Sequence, residues 1–358
     1  GANLVTLFVC YELLTVSTYP LVTHDETDEA RAAGRKYLTY TFGGGVAVLG
    51  GTALVYVLTG TTAFTPGGIE ALASADPTLA RVAFGLLAGG FGVKAALMPV
   101  HSWLPDAMVA PTPVSGLLHA VAVVKSGVFG IARVVLYVFG ADGVESLGVG
   151  LPLATVAAAT MLLAGLIALR QDRLKRGLAY STVSQLSYIV LGLAVLSPVA
   201  VRGALLHLST HAFMKIVLFF CAGVIYVETH VERIDELCGI GRRLPLTMMA
   251  FAVASAGLVG LPLVAGFVSK WHLLTGLFGS DYPVFGAVLL LGGLLKLLFF
   301  WPIIANAFLD ETETEQGDTE VSLHADGGSD VADGDGEVSD TGRPESKISH
   351  PETGDHHR

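Results

Sequence analysis

His207-Leu-Ser-Thr-His211-Ala-Phe-Met-Lys215 lies inside an apolar stretch, residues 201–227, that is long enough to cross a bilayer. Positions 207, 211 and 215 fall at i, i+4 and i+8, on one face of a helix. A charged group at membrane depth is costly, so that face turns to a protein interior or a water path. A row of titratable groups along a buried face is what a proton relay needs. Lys94, Lys125 and Lys270 also interrupt long apolar runs, and Lys296 interrupts the last one.

The 358 residues are 52% hydrophobic, with a mean hydropathy of +0.63. This is too apolar for an ordinary soluble domain, and the fold class expected is an all-α polytopic membrane protein. The net charge of -10 is unevenly placed. Residues 310–358 carry 15 Asp and Glu against 3 Lys and Arg, whereas the first 309 carry 16 against 18. The tail has no periodicity and is expected to be disordered, a solvated acidic segment such as halophilic proteins carry. Asp330, Asp333, Asp335 and Glu337 lack the spacing of a calcium loop. Cys10, Cys221 and Cys238 form no C-x-x-C pair, so no zinc, iron–sulfur or disulfide framework is indicated. The Gly89–Lys94 stretch lacks the spacing of a phosphate loop. No cofactor, metal or nucleic acid is expected. The chain opens in a span at Gly1 without a signal-peptide pattern and is expected to continue a longer protein.

Nine spans are expected, at residues 1–22, 36–60, 79–108, 112–139, 151–170, 175–197, 201–227, 245–278 and 283–308. The third and eighth are too long for one straight crossing. Each holds a break signal, Pro99 with Pro105 in one and Gly260-Leu-Pro262 with Gly266 in the other. Such breaks are tolerated at membrane depth only where the freed backbone is buried in protein or lines a wet cavity. Gly43, Ala47 and Gly51, four residues apart, are expected to seat a close helix contact. Of the basic loop residues, ten lie on one side and two, Arg81 and Arg202, on the other. The positive-inside rule places the first side, and the acidic tail with it, in the cytoplasm of a multi-pass cell-membrane protein.

The buried charges carry the functional reading. Burial disfavours a lysine's charge and a neighbouring carboxylate favours it, so a Glu12–Lys94 pair of variable separation would load and release a proton. His119 and Lys125 share the fourth span, six residues apart; His119 is a shuttle or a satisfied structural histidine. Lys175 sits in the basic Arg170–Arg176 loop, which reads as a topogenic anchor with a relay contribution. Asp106 caps a helix or pairs with a base. Lys296 is either a further relay residue or a snorkeller. Two broken helices, each with a lysine by the break, suggest two structural repeats, the plan of secondary transporters. The divisions expected are 1–139 for the later part of the first repeat, 140–309 for the second, and 310–358 for the tail or loop.

Pro99-Val-His101-Ser-Trp103-Leu-Pro105-Asp106-Ala-Met with Ala110-Pro-Thr-Pro-Val-Ser-Gly-Leu-Leu-His119 resembles a signature of the antiporter-like subunits shared by Mrp-type multisubunit Na+/H+ antiporters and respiratory complex I. Leu174-Lys-Arg-Gly-Leu-Ala-Tyr180-Ser-Thr-Val-Ser-Gln185-Leu-Ser-Tyr, His207–Lys215 and Gly260–Lys270 resemble further signatures of that family. The resemblance covers nearly all of residues 1–309. It implies part of a fourteen-helix core with two inverted five-helix repeats, lacking four helices before Gly1 and the fourteenth after Leu309. It also implies a central axis of Glu, Lys and His. Glu12, Lys94, His119, Lys125, His207, His211, Lys215 and Lys270 match its positions. Lys125 with His119 leans toward the Mrp large-subunit (A/D-type) pattern. The implied function is proton translocation, exchanged for Na+, with other membrane subunits as partners. A redox-driven pump module of an NADH:quinone oxidoreductase or a membrane-bound hydrogenase remains the alternative. A non-conducting scaffold would give no reason for so many buried charges.

Overall fold

The computed structural model describes residues 2–309; the acidic tail, with its Asp330–Glu337 run, lies outside them. Helix α1, Leu4–Val22, is opened by the Asn3 side chain, which accepts from the Thr6 amide at 2.8 Å. Helix α2, Asp28–Thr59, is capped by Thr27 and begins with Asp28 and Glu29, whose charge suits the positive helix end. It stops at Gly60, which takes the left-handed conformation. Helix α3, Pro77–Lys94, starts with proline at its first position and Asp76 as its cap.

The third expected span then breaks. The α-helix ends at Lys94, five residues before Pro99, and helix resumes only as the short α4, Trp103–Asp106. The fourth span, residues 112–138, is one irregular helix. It runs through α5 (Thr112–Gly116), a π turn (Leu117–Val121), α6 (Val123–Arg133) and a second π turn (Val134–Val138). The helices that follow are α7 (Gly140–Ser146), α8 (Gly150–Ala168), α9 (Leu174–Ala194), α10 (Pro198–Thr229) and α11 (Ile240–Arg243). The eighth expected span is two helices, α12 (Pro245–Val259) and α13 (Ala265–Phe278), and the chain described ends in α14, Val284–Leu309.

Among the described residues seven helices are long and apolar enough to cross a membrane. The two remaining expected spans are the interrupted ones. Helix α9 is the least apolar of the seven, yet 94% of its span is buried. It lies between α8 and α10 and touches α6, α13 and α14. On α10 His207, His211 and Lys215 are buried together with apolar neighbours such as Leu218 and Phe219, while Phe213, Val217 and Phe220 are exposed. Keeping these three titratable side chains inward and large apolar ones outward is the arrangement that a hydrocarbon solvent selects.

The small-residue stripe of α2 is offset from the expected one. Gly44 and Gly51 press against α3, but Gly43 has open space beside it and lines, with Ala47, an apolar groove. The contact is set by the twist of α2 on α3, which the four-residue spacing alone does not resolve.

Candidate functional site

The two ends of the expected relay are built at the two breaks. Lys94, the last residue of α3, is fully buried and donates to the Tyr11 carbonyl of α1, its ammonium 3.3 Å from the centre of the Tyr11 ring. Tyr11 in turn donates to the Gly90 carbonyl of α3 at 2.9 Å. Glu12 follows Tyr11, but no Glu12–Lys94 ion pair forms among the described residues; both carboxylate oxygens are buried without a hydrogen-bond partner there. The carboxylate rests against Gly45 of α2, where an added Cβ would lie 2.0 Å from Glu12 Oε1. Only a glycine leaves that room.

The middle of the row gathers side chains from α6, α9, α10 and α13. Lys125, on α6, reaches His211 Nδ1 on α10 at 2.5 Å. The His211 ring stacks on His207 with centroids 5.8 Å apart. His207 Nε2 lies 2.8 Å from Gln185 Oε1 of α9, and its Nδ1 lies 2.9 Å from Ser269 Oγ of α13. Lys215, one turn beyond His211, donates to Ser181 Oγ of α9. His119 falls within the first π turn, a local irregularity frequent at functional sites. Its ring packs against Phe219 at 5.0 Å, and both nitrogens lack a hydrogen-bond partner among the described residues. It is brought to the same helix, α10, as Lys125, but not into contact with it.

Lys270 closes the row at the second break. It donates to the Leu258 carbonyl and, at 3.2 Å, to the Val259 carbonyl, and lies 4.8 Å from the centre of the Tyr188 ring. A helix end leaves such carbonyls without partners, so the lysine of α13 caps the α12 half of its own broken helix. Gly260, at φ 95, leaves the space that the Lys270 stem occupies.

Lys175 stands apart, in the first turn of α9, and donates to the Ala110 carbonyl at 2.9 Å. It lines a cavity of about 470 Å³ together with Lys36, Asp106, Arg176 and Glu232. Asp106 caps no helix; it binds Lys36 at 2.5 Å and Arg176 at 3.7 Å. Lys296 is fully buried, and its ammonium has no hydrogen-bond partner among the described residues. Snorkelling is thereby excluded for Lys296.

The residues overlooked in the sequence are the neutral ones that hold the charges: Tyr11, Ser181, Gln185, Tyr188 and Ser269. A signal existed for three of them. Ser181, Gln185 and Tyr188 are spaced i, i+4, i+7, a polar face on a membrane helix. Among the described residues no group of three or more His, Cys, Asp or Glu gathers to hold a metal ion. The row is one of amines, imidazoles, hydroxyls and carbonyls, groups that donate and accept hydrogen bonds.

This arrangement defines a class: a multi-pass membrane protein with a buried line of lysines and histidines joined to two broken helices. The family model described as NADH:quinone oxidoreductase/Mrp antiporter, TM, matches residues 1–295, and the chain belongs to that family. The chain is 37% identical over 308 residues to NADH-quinone oxidoreductase subunit N of Desulforudis audaxviator, covering 86% of this chain and 61% of that protein. A chain of the membrane-bound sulfane sulfur reductase, an archaeal respiratory membrane complex, superposes with a TM-score of 0.78 at 27% identity, covering 90% of this chain and 68% of that one. A chain of the Mrp complex from Dietzia sp. also gives a TM-score of 0.78, at 29% identity, covering 87% of this chain and 57% of that one. The chain thus spans about three fifths of the length of the curated relative.

Proposed function

We propose that this chain is the proton-translocating part of a membrane subunit in a multisubunit cation/proton antiporter. Protons pass along Glu12, Lys94, His119 and Lys125, His207, His211 and Lys215, and Lys270, with Lys175 at the cavity on the basic side. The observation that carries the reading is the line of side chains from Lys125, hydrogen-bonded to His211, through the ring stack of His211 on His207, to Ser269 beside Lys270, inside a membrane protein. A buried amine and a buried imidazole at hydrogen-bond distance exchange a proton more readily than either holds a charge alone. Glu12 is the carboxylate that stabilises charge on Lys94 when the two approach, and withdraws it when they part. Residues 1–139 form the later part of one repeat and 140–309 a second, each containing one of the two breaks, followed by a cytoplasmic acidic segment. The partners are other membrane subunits of the assembly, the cations are H+ and Na+, and the surrounding solvent is the lipid bilayer.

A second reading, a pump module driven by electron transfer in partner subunits, is favoured by the likeness to a quinone oxidoreductase subunit and to an archaeal respiratory complex. The test is made with the full-length gene and its neighbours in a host lacking its own antiporters. A transmembrane ΔpH is set up in inverted vesicles, and Na+ is added without respiratory substrate. Collapse of the ΔpH that needs Lys94 supports the antiporter. Indifference to Na+, with proton movement only on electron input, supports the redox-driven pump. No Lys94-dependent proton movement in either assay removes both.

A further inference from the structure

His207 is the one histidine of the row held at both ring nitrogens by uncharged side chains. With the Gln185 amide oriented as it stands, its oxygen 2.8 Å from His207 Nε2 and its own Nε2 without a partner among the described residues, an acceptor faces Nε2 and the hydrogen of the neutral ring is placed there. In the neutral ring Nδ1 then accepts, and the Ser269 hydroxyl, 2.9 Å away, is the donor. The same hydroxyl has a second acceptor in reach, the Gly266 carbonyl at 3.0 Å. Thr210 Oγ1 lies 3.3 Å from it on the α10 side and itself donates to the Leu206 carbonyl at 3.2 Å.

When the ring takes a second proton, both nitrogens become donors. Ser269 can then only accept from His207, and its own O–H turns to Gly266, the nearer remaining acceptor. Gly266 lies in the first turn of α13, three residues past Leu263, which holds a left-handed φ of 75. Ser269 is also the immediate neighbour of Lys270, whose ammonium holds the carbonyl end of α12. The Tyr188 ring, 6.0 Å from the His207 ring, lies 4.8 Å from Lys270 Nζ.

We propose that Ser269 is a two-position hydroxyl switch, set by His207 and Gln185, that makes the charge state of His207 felt at the break carrying Lys270. This rests on the proton-relay reading above. The proton that reaches His207 Nδ1 leaves the ammonium of Lys125 for His211, Lys125 becoming the neutral amine, and crosses to His207 only when the stacked rings, now 5.8 Å apart, move to hydrogen-bond distance. The Ser269 O–H bond is kept and only rotates. Ser269 is a positioning residue, acting through His207 and the α13 backbone.

The test uses the complete assembly in inverted vesicles, with Ser269→Ala, Ser269→Thr and Lys270→Ala compared at equal membrane content. Ser269→Thr, which keeps the hydroxyl, is expected to stay within about twofold of the unaltered rate, while Ser269→Ala falls by at least about tenfold. Wild-type transport in Ser269→Ala, or equal losses in the alanine and threonine variants, overturns the switch. If Lys270→Ala transports normally, it is the relay reading that fails, whatever Ser269 does. A second measurement needs no variant: nitrogen NMR of the histidine-labelled assembly at a pH where His207 is neutral. Hydrogen on Nε2 is expected, and a bare Nε2 with hydrogen on Nδ1 overturns the assignment even if Ser269→Ala fails to assemble.

Discussion

At the first break α3 ends on Lys94 and the chain turns through Ala96 at φ 53; at the second, α12 ends on Val259 and the chain turns through Leu263 at φ 75. Both turns hold a non-glycine residue in the left-handed region, which costs on the order of 1–3 kcal/mol and persists only where the surroundings enforce it. The orphan carbonyls are handled differently. At the first break backbone amides close the helix end, Ala95 on Phe91, Leu97 on Gly92 and Ala96 on Val93, and the Trp103 indole adds a second donor to the Val93 carbonyl at 2.8 Å. The carbonyl end of α3 is therefore satisfied without Lys94. At the second break the cap is Lys270 itself. Lys94 is free to answer to a neighbouring carboxylate, whereas Lys270 holds its own helix together and answers to a neutral imidazole–hydroxyl pair. In the proposed relay, one end of the row is tuned by charge and the other by hydrogen-bond direction.

The hardest blow to that contrast is Lys270→Ala. It removes a relay group and a helix cap at once and is expected to lower transport by about 100-fold or more. The measurement is the rate of ΔpH change in vesicles holding the full assembly, and a rate near wild type would leave the second break as scaffolding. Glu12→Gln keeps the shape at the first break and removes the charge. A loss of about tenfold is expected. Combined with Lys94→Ala, the losses should fall short of additive by about 0.5–3 kcal/mol, as for groups acting together. Strict additivity would mean that the carboxylate and the lysine act separately.

Trp103→Phe sharpens the comparison from the structural side. It removes one of two donors to the buried Val93 carbonyl, which keeps the Ala96 amide at 3.0 Å, and is expected to cost about 0.5–1.5 kcal/mol of stability, read as a fall in the thermal midpoint of the purified assembly. An unchanged midpoint would show that α3 needs no indole cap. The smallest effect is expected on α2. Gly43→Ala meets open space and should stay within about 0.5 kcal/mol of wild type. Gly45→Ala pushes directly on the Glu12 carboxylate and should reproduce part of the Glu12→Gln transport loss. Equal behaviour of the two glycine variants would argue against a tight seat for Glu12.

The class of protein, the approximate spans, the two interruptions and the inward face of α10 were all legible in the sequence, because each rests on local spacing. Apolar runs of bilayer length report membrane crossing, and i, i+4, i+8 spacing reports a shared helix face. The place of the first break was less legible. The prolines drew attention to residues 99–105, while the helix stops at Lys94, where Gly127 of α6 comes so close that an added Cβ would lie 2.3 Å from the Ala95 amide. The π turn around His119 was also hidden, since no spacing in residues 112–138 distinguishes it from a plain helix.

Partnership was decided only by the tertiary structure. Lys125 meets His211 across 86 residues of chain, Lys94 meets the Tyr11 carbonyl across 83, and His207 meets Ser269 across 62. A sequence states which residues are too polar for lipid and therefore must find an interior. It does not state which hydroxyl or carbonyl they find there, because that depends on how α1, α6, α9, α10 and α13 cross, and each crossing is set by packing among residues far apart in the chain.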